Sequence, residues 1–251
     1  MVNFVGAGCG AADLITVRGK TLIEQADVIV YAGSLVNPQL LEYAKNDCQI
    51  HNSAYMTLEQ VIDVIKAAEH EKKMTVRLHT GDPSLYGAIR EQMDRLDELG
   101  IKYDICPGVS SFCGAAAALR AEYTLPDVSQ TVIITRMAGR TPVPEKESIA
   151  ALAGHNATMV IFLSTGLLKE LSAELIRGGY KPDTPAAIVY KASWADQKVC
   201  RCTVEDLAQT AANNGITKTA LICVGYFLGN DYSLSKLYDK SFETEFRKAE
   251  I

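Results

Sequence analysis

The sequence predicts an α/β protein with two domains, and three observations support this prediction. At 251 residues, the chain can form one large domain or two smaller ones, each with its own core. Apolar residues make up 48% and charged residues 22%, which is typical of a globular protein and excludes a disordered chain. Strands alternate with helices in the first half, a pattern typical of a mainly parallel sheet with helices on its faces.

The first half consists of short apolar strands separated by helices with one apolar face. Thr57 and Gln60 have the spacing of a capping box, and the helix that they open has Val61 and Ile65 on its apolar face. The last helix of this half is predicted to end at Gly100. The predicted strands cover residues 2–5, 27–31, 75–79 and 103–106, and the predicted helices lie around 22–26, from 58 onward and over 85–99.

The second half contains more strands than helices, which predicts a mixed sheet. Strands are predicted over residues 132–135, 158–163, 186–190, 198–203 and 219–224, and helices only over 167–177 and 204–212. The alanine-rich segment over residues 114–121, followed by Leu125 and Pro126, is the predicted crossing between the halves. We therefore expect an N-terminal α/β domain over 1–118, a C-terminal mixed-sheet domain over 122–235 and a charged tail over 236–251.

Charge and cysteine content exclude several classes of protein. The net charge of −5 argues against nucleic-acid binding, because the neutralisation of phosphates needs a basic face. Seven cysteines form no CxxC pair, and Cys200 and Cys202 fall on one face of a strand, so no metal site is expected. No secretory signal is present, and no apolar stretch approaches the ~20 residues of a membrane helix. The sequence therefore predicts a soluble, cytoplasmic protein.

A glycine-rich loop follows the first strand. Gly6, Gly8 and Gly10 lie in a segment that matches a loose dinucleotide fingerprint, which makes a dinucleotide-dependent oxidoreductase an alternative. That alternative requires an acidic residue at the end of the second strand, where the sequence has Tyr31 followed by Ala32. A glycine turn that binds no ligand is a further alternative for this loop considered alone.

Two more loops of the same kind follow later strands. The second begins Thr80-Gly81-Asp82-Pro83, and Asp82 with Pro83 is predicted to start a helix with a carboxylate near its positive end. The third begins Pro107-Gly108-Val109-Ser110-Ser111. Because the carboxyl ends of parallel strands meet at one sheet edge, the three loops are expected to line a single crevice.

These three segments resemble the signature blocks of the tetrapyrrole methylase family, and the resemblance extends over nearly the whole chain. It implies two α/β/α domains with the active-site cleft between them, a homodimer, and S-adenosylmethionine as methyl donor with S-adenosylhomocysteine as product. This chain has Cys9 where many members have proline and Ala11 where many have aspartate. The cofactor contacts that the resemblance implies are Gly8, Cys9, Thr80, Gly81, Asp82, Leu85, Ser110, Ser111, Leu163 and Ala192.

Further blocks are similar to the branch of the family that methylates carbon 11 of precorrin-4 or cobalt-precorrin-4 in cobalamin biosynthesis. The run from Gly139 to Pro144, Gly-Arg-Thr-Pro-Val-Pro, is the most specific of them. The implied substrate is a tetrapyrrole with many carboxylates, which arginine binds well because its guanidinium can form two parallel hydrogen bonds. The candidate substrate contacts are Arg77, Tyr86, Arg136, Arg140, Lys191 and Trp194.

Methyl transfer from a sulfonium to carbon requires alignment and exclusion of water more than a nucleophilic side chain. Asp82 is a candidate polar anchor, and His79 is a candidate proton acceptor, with a buried structural histidine as the alternative. No other catalytic residue is predicted. Other functions remain open at this point: methylation of uroporphyrinogen or of another precorrin, diphthine synthesis, the oxidoreductase, or non-catalytic carriage of a tetrapyrrole.

Overall fold

The computed structural model describes residues 1–250, without the side chain of Ser34. It confirms the predicted α/β class, with two five-stranded sheets. The chain divides into two compact units: Met1–Ala115 with Lys191–Gln197, and Ala116–Tyr190 with the chain from Lys198 onward. Among the described residues, no helix is both long enough and apolar enough to cross a membrane.

The first unit is built on a fully parallel sheet with the order β3-β2-β4-β1-β5. Because all five strands run in one direction, the loops after β1, β4 and β5 leave the same edge of the sheet. The strands are β1 (Val2–Gly6), β2 (Val28–Tyr31), β3 (Gln49–Asn52), β4 (Thr75–His79) and β5 (Tyr103–Cys106). The helices are α1 (Val17–Gln25), α2 (Leu58–His70), α3 (Arg90–Glu98) and α4 (Ser111–Leu119).

Both faces of this sheet are covered by apolar side chains. Phe4 and Val30 pack with α2 and α3 on one face, while Ile29 and Leu78 pack on the other with Ile23 of α1. All five of these side chains are fully buried, and each contributes ~1.5–3 kcal/mol through burial. The predicted capping box of α2 is confirmed, since Thr57 and Gln60 form both of its hydrogen bonds.

Two predictions for the first unit were wrong. The helix predicted over 85–99 begins only at Arg90, because Tyr86 (φ 57°) and Ala88 (φ 49°) adopt left-handed backbone angles. Asp82 and Pro83 therefore open a turn and not a helix. The sequence analysis also missed β3, an edge strand whose largely polar sequence Gln-Ile-His-Asn lacks the pattern of a buried strand.

The second unit has the mixed sheet that the sequence predicts. Its order is β6-β7-β10-β8-β9, and only β6 and β7 are parallel neighbours. The strands are β6 (Val132–Arg136), β7 (Thr158–Phe162), β8 (Pro185–Tyr190), β9 (Lys198–Thr203) and β10 (Ala220–Val224). The helices are α5 (Ile149–Ala153), α6 (Leu168–Gly178) and α7 (Leu207–Asn213), of which the five-residue α5 was not predicted.

The observed units differ from the predicted domains in one respect that matters for the site. Lys191–Gln197, which comes late in the chain, belongs to the first unit. The predicted tail over 236–251 forms part of the second unit as far as it is described, and Ile251 lies outside the described residues. Within the tail, the guanidinium of Arg247 donates hydrogen bonds to the carbonyls of Leu237, Asp239 and Phe242.

Candidate functional site

The first and second glycine loops are joined directly through their backbones. The amide of Gly8 donates to the carbonyl of Gly81 (3.2 Å), and the amide of Gly81 donates to the carbonyl of Gly8 (2.9 Å). Both residues have left-handed backbone angles, with φ of 79° and 63°, which glycine adopts at little cost. The two glycines that the sequence analysis selected on separate loops therefore form one continuous backbone surface.

The third loop is packed against the other two at Gly108. A Cβ atom on Gly108 would lie 2.2 Å from the carbonyl oxygen of Gly81 and 2.7 Å from the Cα of Gly6. No side chain fits at those distances, so glycine is required there for the loops to meet. The amide of Gly108 also donates to Oδ2 of Asp82 (2.8 Å), which links the third loop to the second. All three loops thus converge at one sheet edge.

Asp82 fixes the relative positions of the second and third loops. Its Oδ1 accepts hydrogen bonds from the amide of Ser84 (2.8 Å) and from the Ser84 hydroxyl, while Oδ2 accepts from Gly108. Burial raises the pKa of Asp82, but the hydrogen bonds from Ser84 and Gly108 outweigh burial and lower it below its ordinary value. The carboxylate is therefore ionised at neutral pH and already bound to donors of the protein.

The loop junction has polar groups that suit a ligand lying close to the backbone. The Oγ1 atom of Thr80 is buried and has no hydrogen-bond partner among the described residues. An unsatisfied buried hydroxyl costs free energy unless a ligand or water binds it. Ser110 is buried beside the first turn of α4, and Ser111 begins that helix, so their backbone lies at its positive end. Leu85 is half-buried in the neighbouring turn, and Tyr86 beside it is exposed.

The segment Lys191–Gln197 packs against the first loop. A Cβ atom on Gly10 would lie 2.3 Å from Cδ1 of Trp194, and one on Gly114 would lie 2.7 Å from Sγ of Cys9 and 3.3 Å from Cβ of Ala192. The structure therefore brings Cys9, Ala192 and Trp194 together, although more than 180 residues separate Cys9 from the other two.

Lys191 lies beside Trp194 in this segment. The Nζ atom of Lys191 lies 2.6 Å from Oδ2 of Asp196 and 5.3 Å from the centroid of the Trp194 ring. The ammonium group is thus held over an aromatic face by a carboxylate, an arrangement that fixes the side chain in place. Lys191 and Trp194 lie on the same segment as Ala192, next to the first glycine loop.

Two of the predicted residues are buried in the first unit. Arg77 is only 6% exposed, and its guanidinium donates to Oε1 of Gln92 (2.9 Å) and to the carbonyl of Val30 (3.0 Å). His79 is 3% exposed, and burial together with the charge of Arg77 lowers its pKa to about 3. Such a histidine stays neutral at physiological pH and accepts a proton poorly. We therefore remove Arg77 from the candidate substrate contacts and His79 from the candidate bases.

The second unit carries three of the predicted residues near the ends of its parallel strands. Leu163 follows β7 with a left-handed φ of 53° and is 67% exposed, which is unusual for a leucine. Arg136 lies at the end of β6, and its guanidinium donates hydrogen bonds of 2.7–3.2 Å to the carbonyl oxygens of Met137, Thr141 and Pro142. Arg136 thus holds the loop that carries the exposed Arg140.

Among the residues that the structure describes, no group of three or more His, Cys, Asp or Glu side chains is arranged so that it could hold a metal ion. Cys200 and Cys202 pack against the core of the second unit. Burial raises the pKa of Cys202 to about 11, so its thiol remains protonated.

Comparison with known proteins identifies the family. The family model described as Tetrapyrrole (Corrin/Porphyrin) Methylases matches residues 1–208, which is more than half of the chain. The chain belongs to the tetrapyrrole methylase family. Membership confirms the resemblance found in the sequence and sets aside the dinucleotide-dependent oxidoreductase.

Relatives among the tetrapyrrole methylases match over nearly the whole chain. The chain is 56% identical to the cobalt-precorrin-4 C(11)-methyltransferase of Methanocaldococcus jannaschii, covering 99% of this chain and 96% of that protein. It is 45% identical to the precorrin-4 C(11)-methyltransferase of Pseudomonas aeruginosa, covering 99% of both chains. A solved structure, the cobalamin biosynthetic enzyme cobalt precorrin-4 methyltransferase, superimposes with a TM-score of 0.89 at 47% identity, covering 91% of this chain and 96% of that one.

The sequence analysis of this tetrapyrrole methylase assigned no role to three residues that shape the loops. Gly108 lies inside a recognised block, and its contacts with Gly6 and Gly81 could have been suspected from the Pro-Gly pair that follows β5. Asn37 and Ser193 hydrogen-bond to the first loop from distant positions in the chain, and nothing in their local sequence indicates it.

Proposed function

We propose that this chain transfers a methyl group from S-adenosylmethionine to carbon 11 of cobalt-precorrin-4 or precorrin-4, in cobalamin biosynthesis. The observation that carries the proposal is the junction of Gly8, Gly81 and Gly108, where the backbones of three loops of one parallel sheet contact each other. Identities of 56% and 45% over nearly the full chain to methyltransferases of that name support the assignment of substrate.

The residues present at the loop junction suit the methyl donor. S-adenosylmethionine supplies an electrophilic methyl group on a sulfonium. Backbone groups of the loops and the unsatisfied hydroxyl of Thr80 supply hydrogen bonds to a bound nucleoside, and Leu85 supplies an apolar wall. The proposed cofactor contacts are Gly8, Cys9, Thr80, Gly81, Asp82, Leu85, Ser110, Ser111, Leu163 and Ala192.

The role of the chain in this reaction is to position the methyl donor and the acceptor. An in-line transfer from sulfur to carbon gains most of its rate from alignment of the donor with the acceptor and from exclusion of water. Asp82 holds the second and third loops in register, and its carboxylate is already satisfied by Ser84 and Gly108, so its role is to orient the site rather than to accept a proton. The first loop is fixed by its pairing with Gly81.

Arg140 is the proposed contact for the carboxylates of the substrate. It is exposed at the tip of a loop that Arg136 holds through three backbone carbonyls, so the loop presents Arg140 in a defined shape. The guanidinium of an arginine can bind a carboxylate through two hydrogen bonds. Tyr86, Lys191 and Trp194 are the other proposed substrate contacts, and Arg136 is retained as the residue that shapes this loop.

Replacing Arg140 with alanine is expected to raise the KM for the tetrapyrrole roughly tenfold or more, because a charge-assisted hydrogen bond contributes ~1.5–3 kcal/mol. The dissociation constant of S-adenosylhomocysteine should not change. Steady-state kinetics with each substrate varied in turn would measure both effects. The matched control is Arg90→Ala, which removes an exposed arginine from α3 of the first unit. An equal rise in KM for both variants would contradict the assignment.

The reaction product tests the proposed function directly. The purified protein would be incubated with the methyl donor carrying a ¹³C-labelled methyl group and with precorrin-4 or cobalt-precorrin-4, and the new carbon–carbon bond would be located by carbon NMR. Label at carbon 11 supports the proposal. Label at another carbon, or transfer only to uroporphyrinogen III, would assign the chain to a different branch of the family.

We also propose that the protein is a cytoplasmic homodimer. All seven cysteines are free, as is typical of a reducing compartment. The C-terminal segment exposes several large apolar side chains, which a second copy of the chain could cover. These are Tyr232, Leu234, Leu237, Tyr238, Phe242 and Phe246. Light scattering on the full chain should give twice the monomer mass, and a monomer mass at micromolar concentration would contradict the proposal.

A further inference from the structure

The peptide group between Gly10 and Ala11, in the first glycine loop, is held at both of its polar atoms. The carbonyl of Gly10 accepts a hydrogen bond from Nδ2 of Asn37 (2.9 Å). The amide of Ala11 donates to Oγ of Ser193 (2.9 Å). Because this oxygen and this N–H belong to one planar group, the two bonds together fix the orientation of the peptide plane. The partners come from positions 37 and 193, far from the loop in sequence.

Both partners are themselves held in place. Oδ1 of Asn37 accepts from the amide of Gln39 (3.0 Å), so Asn37 caps a short 3₁₀ helix while its amide nitrogen reaches Gly10. The amide of Ser193 donates to Oε1 of Gln197 (2.7 Å). Ser193 has a left-handed φ of 66°, which non-glycine residues rarely adopt. A backbone in this region persists only where its surroundings impose it, and it is concentrated at functional sites.

One side of Gly10 is covered by the segment Lys191–Gln197. Gly10 has a φ of 159°, and a Cβ atom there would lie 2.3 Å from Cδ1 of Trp194 and 2.5 Å from the carbonyl oxygen of Ala192. The Oγ of Ser193 also lies 3.4 Å from Sγ of Cys9. The loop therefore cannot rotate at Gly10 without breaking two hydrogen bonds and displacing an indole ring.

We propose that Asn37 and Ser193 are positioning residues that lock the Gly10–Ala11 peptide plane and so hold the first glycine loop in the shape that binds the methyl donor. This inference rests on the proposed function. A loop with glycine at positions 8 and 10 has many accessible backbone conformations, and ordering it on binding would reduce affinity. If the loop is already held in its binding shape, binding of the donor no longer includes the entropic cost of ordering the loop. Neither residue needs to contact the donor.

Two substitutions at Ser193 distinguish the effect of its hydroxyl from the effect of its left-handed backbone. Ser193→Ala removes the acceptor for the amide of Ala11 and keeps the strain of a left-handed residue. Ser193→Gly also removes the acceptor but relieves that strain. If the hydroxyl locks the loop, both variants should raise the dissociation constant of S-adenosylhomocysteine, measured by calorimetry, by about five- to tenfold, the size of one lost hydrogen bond. The KM for the tetrapyrrole should stay constant.

The chain offers a matched control in the second unit. Oγ of Ser129 also accepts from a backbone amide, that of Thr158 (3.0 Å). It also donates to the carbonyl of Thr131 (2.8 Å) and accepts from the amide of the same residue (3.3 Å). Ser129→Ala should therefore lower the melting temperature at least as much as Ser193→Ala and leave the affinity for S-adenosylhomocysteine unchanged. A melting temperature alone cannot make this distinction, because both variants lose internal hydrogen bonds.

Asn37→Asp tests the other end of the peptide. An aspartate keeps the oxygen that caps the 3₁₀ helix but turns an oxygen toward the carbonyl of Gly10 in place of the donor. We expect a weakening of S-adenosylhomocysteine binding of at least tenfold, with the helix cap intact. Hydrogen exchange of the Ala11 amide should be faster in the Asn37 and Ser193 variants than in the wild type.

The outcomes separate this inference from the proposed function. Wild-type affinity in Ser193→Ala, Ser193→Gly and Asn37→Asp would overturn the inference and leave the proposed function standing. Weakened binding in Ser193→Ala with wild-type binding in Ser193→Gly would also overturn it, because backbone strain and not the hydroxyl would then control the loop. A wild-type protein that binds no S-adenosylhomocysteine would overturn the proposed function. In that case, unchanged exchange of the Ala11 amide in the variants would overturn the inference as well.

Discussion

Gly108→Ala is expected to weaken the binding of S-adenosylhomocysteine by at least a factor of ~100, equivalent to ~2.7 kcal/mol. The added Cβ would lie 2.2 Å from the carbonyl oxygen of Gly81 and 2.7 Å from the Cα of Gly6. These neighbouring atoms belong to the backbone and cannot move aside as the end of a flexible side chain can. The third loop must therefore move away from the other two. That movement also breaks the hydrogen bond from the Gly108 amide to Asp82.

Calorimetric titration of the variant would measure this loss, with Gly154→Ala as the control. Gly154 has a helical φ of −57° at the end of α5, and a Cβ there would have its nearest neighbours at 3.3 and 3.6 Å. Alanine should be tolerated at that position, with affinity unchanged. Retention of wild-type affinity in folded Gly108→Ala would show that the donor does not bind where these loops meet.

Lowering the pH from 6.5 to 4 is expected to cost the folded protein ~3 kcal/mol of stability through His79 alone, at up to ~1.4 kcal/mol per pH unit. Burial and the charge of Arg77 lower the pKa of His79 to about 3 in the folded protein, against 6.5 for an ordinary histidine. Between these two values the unfolded chain binds a proton that the folded chain does not. The free energy of unfolding therefore falls as the pH falls.

The variant His79→Phe isolates this effect. It removes the titrating group and keeps a ring near Phe4, whose centroid lies 6.1 Å from that of His79. Urea unfolding at several pH values should give a shallower pH dependence of stability for the variant than for the wild type. Identical slopes for His79→Phe and the wild type would contradict the assigned role.

The regular elements of the fold could be predicted because their signals are local. Apolar runs marked nine of the ten strands, and the Thr57–Gln60 capping box marked the start of α2. The late start of α3 could not be predicted in the same way. The left-handed backbone angles of Tyr86 and Ala88 depend on the packing of the turn, where Gly87 lies against the carbonyl of Pro83. Tyrosine and alanine are also compatible with a helix, so these two residue types do not indicate the left-handed angles.

The candidate site could be predicted only in part, because several of its side chains are positioned by residues distant in sequence. The three loops could be assigned to one edge from the direction of the strands. The burial of Arg77 depends on tertiary packing, because its guanidinium donates to the carbonyl of Val30 on a neighbouring strand and to Gln92 on α3. The contact of Ser193 with Ala11 joins positions 182 residues apart, so no local pattern predicts it.

Calorimetric titration of S-adenosylhomocysteine into three proteins tests the central claim, that the converging glycine loops bind the methyl donor. Gly81 and Gly215 have nearly equal left-handed φ values of 63° and 67°, so alanine strains the backbone similarly at either position. A Cβ on Gly81 would lie 3.3 Å from the amide nitrogen of Ser111 inside the junction, whereas one on Gly215 has no neighbour within 4 Å. We predict saturable binding with one site per chain in the wild type and in Gly215→Ala, and binding at least ~20-fold weaker in Gly81→Ala. A flat trace from the folded wild type, or equal weakening in both variants, would contradict the claim.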